Sequence, residues 1–185
     1  AWNREIDKSL KLHDELIGKN PKMLDYKLFR AQLSIWEERD LDTAELFINE
    51  VLSSRPNNVN ALIAKATLLG INKEFDSAQA YLERIRTIDP INFDVITLQS
   101  KLEFQKLRAE EDERFQILEE GRKLVLDENC ASALLYYEKY LAEARPNNLI
   151  KKEYGDVLFC AKQYDDALKI YDEILIEGYI YEAEL

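Results

Sequence analysis

The stretch from Asn147 to Gly178, NNLIKKEYGDVLFCAKQYDDALKIYDEILIEG, contains two amphipathic helical patterns joined by a short polar turn. Gly155 is the only glycine in the first pattern, and Ala167 and Tyr171 lie on one face of the second. A glycine inside a helix costs roughly 1 kcal/mol relative to alanine, so it usually has a packing reason. We therefore predict a helix–turn–helix unit in which the second helix closely approaches the first at Gly155.

This unit recurs along the chain with a period of 34 residues. The positions 34 residues before Gly155, Ala167 and Tyr171 carry the same three residue types, at Gly121, Ala133 and Tyr137. The N-terminal half shows the same period in the pairs Leu41/Phe75, Ala44/Ala78 and Pro56/Pro90. Asn-rich turns accompany most of the prolines, and a proline after the last turn ends a helix while Asn or Asp caps the next.

Helix pairs with a 34-residue period resemble the tetratricopeptide repeat family. The resemblance covers nearly the whole chain, although Gln32 stands in the first repeat where the family has a small residue. It implies an all-α fold, a right-handed superhelical solenoid of antiparallel helix pairs, with about nine to ten helices. The residues that carry it are Ala66/Ala78/Leu82/Pro90, Gly121/Ala133/Tyr137 and Gly155/Ala167/Tyr171.

The period divides the chain into three segments. Residues 1–90 form an N-terminal block of a partial repeat and two full repeats, and residues 128–185 form a C-terminal block. Between them, at 91–127, the register breaks, because Ala78 and Ala133 are 55 residues apart. This segment is either an irregular repeat of two helices with a turn near 110–112, or one long connecting helix near 93–127. The alternation of helix direction slightly favours the long helix, whose charged middle would be a solvated face.

Both ends of the chain look like parts of further repeats. The first helical pattern, from Trp2 to Ile17, resembles the second helix of a repeat, and GYIYEAEL after Ile176 resembles the start of another first helix. We therefore expect one continuous array that is excised from a longer protein. Self-association through exposed terminal helices is possible in such an array.

The repeat register also predicts the buried core of the two N-terminal repeats. Stacking of neighbouring repeats buries the apolar face that each repeat alone would expose. The predicted core residues are Leu28, Ala31, Ile35, Ala44, Ile48 and Val51 in the first repeat and Leu62, Ala66, Leu69, Ala78, Leu82 and Ile85 in the second.

Composition excludes several classes of function. The net charge is −11, from 25 Lys and Arg against 36 Asp and Glu, and a nucleic-acid partner would need a basic face. No run of about 18 apolar residues is present, so direct membrane insertion is not expected. The N-terminal AWNREIDK has neither signal-peptide features nor an initiating methionine. The compartment therefore stays open, with the cytoplasm slightly favoured.

Arrangements of residues that could support catalysis or bind a metal are few, because the abundant carboxylates are expected to lie at solvated helix surfaces. His13 is the only histidine, and it is predicted to lie at the surface without the partners that a triad or a metal site needs. Cys130 and Cys160 show no CxxC or zinc spacing. We expect Cys160 to be a small core residue and both cysteines to be free rather than disulfide-bonded. The chain is therefore predicted not to be an enzyme and to need no cofactor or metal.

The resemblance also indicates where a partner would bind, because first helices line the concave face in this family. Either these side chains form a partner-binding groove, or Trp36 and Phe29 pack on the N-terminal helix. The groove residues that the resemblance implies are Tyr26, Phe29, Leu33, Trp36, Asn60, Ile63, Thr67, Thr97, Lys101 and Phe104, extended in the last repeat by Leu149, Lys152, Asp156, Phe159 and Cys160.

The function that this resemblance implies is a non-catalytic protein–protein interaction scaffold that binds a peptide or helix of a partner. One alternative is a small acidic chaperone of the secretion type, and another is a docking domain attached to an enzyme or an export pore. The carboxylate clamp that some family members use to bind chaperone tails is not expected. Phe29, Leu33, Ile63 and Thr67 occupy the positions of its Lys and Asn residues.

Overall fold

The structure is a computed structural model that describes the backbone of residues 2–183 and the side chains of residues 5–176. Within these residues the chain forms nine α-helices and no strand. This confirms the predicted all-α class and the lower of the two helix numbers. The helices are α1 (Trp2–Lys19), α2 (Leu24–Trp36), α3 (Leu41–Ser54), α4 (Val59–Ile71), α5 (Phe75–Ile88), α6 (Phe93–Leu126), α7 (Cys130–Glu143), α8 (Asn148–Cys160) and α9 (Tyr164–Ala183).

Asparagine side chains begin four of the helices, including α6, where Asn92 accepts a hydrogen bond from the Val95 N–H at 3.2 Å. The Asn58 side chain accepts a hydrogen bond from the backbone N–H of Ala61 at 3.0 Å, and Asn147 accepts one from Ile150 at 3.0 Å. Asn129 caps α7 in the same way. Such a cap satisfies a backbone N–H that has no partner inside the helix. The Asn-rich turns of the sequence therefore mark helix starts.

The four turns inside the helix pairs share one backbone conformation. Glu38, Lys73, Glu128 and Lys162 all have positive φ, between 51° and 64°. At each turn the next residue's N–H donates to a carbonyl five residues earlier, as Glu74 N does to Leu69 O at 2.8 Å. This is the Schellman arrangement, which usually places glycine at the left-handed position. A charged residue stands there in all four turns.

The chain divides into two compact units, residues 1–108 and 109–185. In the first unit α2 packs on α3, α3 on α4, and α4 on α5, while α1 packs on α2 and α2 also meets α4. Connections of about four residues make neighbouring helices antiparallel. The core forms two clusters, and all twelve residues predicted for the core of these repeats are buried.

Ion pairs hold α3 between the two helices that flank it. The buried ammonium of Lys27 in α2 lies 2.5 Å from Glu50, and that of Lys65 in α4 lies 2.6 Å from Glu45. Burying a charge is costly unless a partner compensates it. Each glutamate of α3 therefore permits one lysine stem to be buried against a neighbouring helix.

In the second unit, glycine and tyrosine meet between helices. A Cβ added at Gly155 would lie 2.6 Å from Tyr171 Cε1, and one added at Gly121 would lie 3.0 Å from Tyr137 Cε2. The predicted reason for Gly155, close approach of the second helix, is therefore confirmed. The same contact recurs 34 residues earlier. The other buried residues of this core cluster are Leu118, Ala133, Leu134, Val157, Leu158 and Ala167.

The segment whose register breaks is a single helix, α6, which begins in the first unit and ends in the second. Of the two alternatives, the structure has the long helix. Its middle lacks any residue that would end a helix, and Glu110 to Glu113 are exposed. At the C-terminal end, α9 continues as one helix to Ala183, so the predicted start of another helix after Ile176 is wrong for the described residues.

Candidate binding groove

The groove of the first unit lies where α2, α4 and α6 meet. It is a cavity of about 370 Å³. Four residues of the predicted binding surface contribute to it, namely Trp36, Ile63, Thr67 and Lys101. The other lining residues are Gln32, Ile35, Glu38, Ala64 and Ile71.

Two aromatic side chains of α2 are open to solvent. Trp36 is 77% exposed and Phe29 is 60% exposed. The alternative expectation, that both pack on the N-terminal helix, is therefore wrong. The position of α1 is set instead by other contacts, among them the buried Leu10 and the ion pair between Arg30 and Asp14 at 2.9 Å.

The floor of the groove is apolar. Ile35 and Ala64 are buried, while Ile63, Thr67 and Ile71 are half-buried. The Thr67 hydroxyl donates to the Ile63 carbonyl at 2.9 Å, so its hydrogen bond is made inside α4. Two charged residues, Lys101 and Glu38, line the groove without an ion-pair partner among residues 5–176. The arrangement can therefore accept an apolar side chain and orient a polar segment beside it.

The remaining predicted residues lie outside the cavity lining. Asn60, Thr97 and Phe104 are exposed, and Tyr26 and Leu33 are half-buried. Phe104 lies under the Arg108 guanidinium, 5.8 Å from the ring centroid. These residues extend the predicted surface beyond the groove.

Several residues predicted for the last repeat are held by contacts within the second unit. Lys152 donates to Asp156 at 2.8 Å, and the Tyr171 hydroxyl donates to the same carboxylate at 2.7 Å. Burial opposes ionisation of Asp156, but these two hydrogen bonds outweigh it and lower the pKa of the carboxyl. Phe159 packs edge-on against Tyr164.

A larger cavity in the second unit was not predicted. It has a volume of about 690 Å³ and lies between α6, α7 and α8. One of its arginines, Arg122, donates two hydrogen bonds to Glu153 at 2.9 Å and one to Glu119 at 2.7 Å, and these bonds raise the pKa of its guanidinium. No sequence motif marks this cavity, whose lining is Glu111, Asp112, Arg114, Phe115, Leu118, Arg122, Tyr140, Glu143, Ala144, Arg145, Asn147, Leu149 and Ile150.

Two tyrosines of the second unit are bonded to carboxylates. The Tyr137 hydroxyl donates to Glu153 at 3.1 Å. Burial is the largest cause that raises the pKa of Tyr137 to about 12, and the charge of Glu153 and the hydrogen bond to it add to the effect. Burial and the hydrogen bond to Asp156 likewise raise the pKa of Tyr171 to about 12.

The expectation for the cysteines is wrong. Cys130 and Cys160 form a disulfide, with a Cα–Cα distance of 5.8 Å. Cys130 is buried, but Cys160 is exposed rather than part of the core. Cys130 begins α7 and Cys160 ends α8. The two ends meet because the helices are antiparallel.

The described part of the chain contains neither a histidine cluster nor a candidate metal site. His13 is half-buried rather than at the surface, and its Nδ1 lies 2.8 Å from the Ser9 carbonyl, within its own helix. Among the described residues, no group of three His, Cys, Asp or Glu residues could hold a metal ion. None of the described helices is long and apolar enough to cross a membrane.

Comparison with solved structures gives a clear likeness of fold. A tetratricopeptide repeat protein from Parabacteroides merdae ATCC 43184 matches 97% of this chain with a TM-score of 0.52 and 17% sequence identity. This chain has a tetratricopeptide-repeat fold. It spans 61% of the length of that chain. Neither the protein-family models nor the curated proteins give a match.

The tetratricopeptide-repeat fold confirms the resemblance that the 34-residue period indicated. In the first unit, the first helices α2 and α4 contact each other directly, and α6 joins them at the groove. At 17% identity the likeness concerns the fold alone.

Proposed function

We propose that the first unit is a non-catalytic protein-interaction module that binds a helix or peptide of a partner protein in the groove beside Trp36. The observation that carries this proposal is an indole that is 77% exposed above an apolar cavity. Tryptophan is enriched among the residues that contribute most to binding energy. An exposed tryptophan that lines a cavity with an apolar floor is suited to be such an anchor.

The chemistry of the groove indicates the kind of segment that it fits. A volume of about 370 Å³ accommodates one or two bulky apolar side chains, which the buried floor of Ile35 and Ala64 would contact. Lys101 and Glu38 can each make a charged hydrogen bond at the margin. The expected ligand is therefore an amphipathic segment with an aliphatic or aromatic anchor and flanking charges of both signs.

The test is selection of peptides from a displayed library on the intact chain, followed by measurement of their affinity for variants. The Trp36→Ala variant should weaken selected peptides by at least about tenfold, the effect of losing about 1.4 kcal/mol. Leu46→Ala is the matched control, because Leu46 is 69% exposed on α3 and does not line the groove. Equal binding to the Trp36→Ala variant and the control would refute the site.

A further inference from the structure

The first half of α6 has two apolar faces, and in the first unit only one of them is covered. Val95, Leu98 and Leu102 are buried in a core cluster with α4 and α5. Phe93, Ile96, Phe104 and Leu107 are exposed, with Phe93 at 77% and Leu107 at 57%. An ordinary surface helix has a single apolar stripe. The exposed face of α6 therefore needs an explanation of its own.

The exposed face follows the spacing of a helix-pairing seam. Phe93, Thr97, Ser100, Phe104 and Leu107 are separated by four, three, four and three residues. This alternation is the heptad spacing that keeps one stripe of a helix facing a second helix. We call these five residues the α6 seam.

The two polar members of the α6 seam can be buried without losing hydrogen bonds. The Thr97 hydroxyl donates to the Phe93 carbonyl at 3.1 Å, and the Ser100 hydroxyl donates to the Ile96 carbonyl at 3.3 Å. Both bonds lie within α6. Covering the seam would leave neither hydroxyl hydrogen unsatisfied, so the usual penalty for burying a polar group does not arise.

Charges of opposite sign border the two edges of the seam. At 100° per residue, Lys101 and Arg108 fall along one edge, and Glu103 and Glu110 along the other. In two parallel helices related by a two-fold axis, the acidic edge of one copy faces the basic edge of the other. The glutamate at 103 then lies five positions before its partner at 108, the spacing of interhelical ion pairs in parallel coiled coils. An antiparallel pair would place like edges together.

We propose that the α6 seam binds the α6 seam of a second copy of this chain, with the two helices parallel and Glu103 of each copy beside Arg108 of the other. The exposed side chains of the seam and Ile96 amount to on the order of 400 Å² of apolar surface per copy, the size at which a patch marks an interaction site. Two copies would bury on the order of 1,000 Å², at the low end for specific complexes. An interface of this size is typical of weak, reversible association, so we expect dimerisation at micromolar concentrations.

The proposal is tested on the intact chain by sedimentation velocity over about 1–100 μM, a range that brackets micromolar affinity. The wild-type chain should shift from monomer to dimer over this range. The Phe104→Asp/Leu107→Asp variant should stay monomeric, with dimerisation at least about tenfold weaker. Leu46→Asp, at an exposed leucine of α3, should dimerise like the wild type. A wild-type chain that stays monomeric, or a double variant that still dimerises, would overturn the proposal.

Charge reversal tests the parallel arrangement. Glu103→Lys and Arg108→Glu should each be monomeric, because each variant places like charges across the interface twice. An equimolar mixture of the two variants should restore a dimer, because one native Glu103–Arg108 pair re-forms and the two substituted positions face each other with opposite charges. A mixture that remains monomeric would overturn the parallel arrangement. Far-UV circular dichroism of every variant checks that the fold is intact, and all the substituted side chains are exposed.

Discussion

The two units build the same helix pair by different means. In the first, α3 lies between α2 and α4 with an aliphatic core, and two buried lysines reach its glutamates. In the second, tyrosines fill the space left by glycines, their hydroxyls bind carboxylates, and a disulfide joins two helix ends. The repeat pattern thus determines which helices pack together but not which interactions stabilise their contacts. The two units should therefore respond to different perturbations.

The largest expected difference is the response to reduction. The disulfide closes a sequence separation of 30 residues, for which the loss of unfolded-chain entropy gives roughly 3–4 kcal/mol of stability. Both tryptophans lie in residues 1–108, so their fluorescence reports the first unit while circular dichroism reports all helices. A reductant should lower the denaturation midpoint seen by circular dichroism and leave the fluorescence midpoint in place. Cys160→Ala should reproduce this without reductant. Equal shifts of both signals would contradict the comparison.

The next effect concerns the glycine–tyrosine contacts. Gly155→Ala should destabilise the second unit by about 1–3 kcal/mol, the usual cost of overpacking, because the new methyl would lie 2.6 Å from Tyr171. Gly18→Ala is the matched control. A Cβ there meets nothing within 4 Å, so the helix preference of alanine should give a gain of up to about 1 kcal/mol. Equilibrium denaturation measures both, and a stabilised Gly155→Ala would remove the packing explanation.

Alkaline pH should weaken the second unit through its tyrosines. The pKa of Tyr137 and that of Tyr171 are each raised to about 12, whereas an unfolded tyrosine loses its proton near pH 10. The folded state therefore binds more protons between about pH 10 and 12, and its stability falls as the pH rises through this range. In the Tyr137→Phe variant, the denaturation midpoint should fall less steeply than in the wild type as the pH rises from about 10 to 12. Tyr136→Phe, on the same helix, should leave the steepness of the fall unchanged, and an equally steep fall in both variants would contradict the assignment.

The smallest effect should be the same in both units, because their turns are alike. Lys73→Gly and Lys162→Gly should each stabilise by about 0.5–1 kcal/mol, since glycine tolerates positive φ at the end of a helix. Lys73→Ala removes the same charge without relieving the backbone and should give no gain. Thermal unfolding of the single variants measures the effect. A gain from alanine equal to that from glycine would point to charge rather than conformation.

Much of the fold can be predicted from the sequence, because the period places Gly121, Gly155 and their tyrosines at equivalent positions. The long α6 could not be decided, since the middle of the segment, residues 108–114, has neither turn residues nor apolar spacing and leaves both one and two helices open. The disulfide was missed because a spacing of 30 residues does not show whether two cysteines are close in space until the bounds of α7 and α8 are known. Once antiparallel helices are drawn, Cys130 and Cys160 fall at the same end.

The binding groove was predictable only in part. The family register identified Trp36, Ile63, Thr67 and Lys101, which the structure brings to one cavity. Whether α1 would cover Trp36 depends on tertiary packing that no local pattern encodes. The use of these residues in binding stays a prediction.

The buried lysines make the repeats poor candidates for shuffling. Removing one period, residues 41–74, would preserve the helical register and join α2 directly to α5. The position that Glu50 occupies in α3 is held by Arg84 in α5, and that of Glu45 by Gln79. Lys27 would then face an arginine in place of its carboxylate. The backbone of the array repeats, but the charges at equivalent positions do not. A repeat moved to another place would therefore lose the ion pairs it makes with its present neighbours.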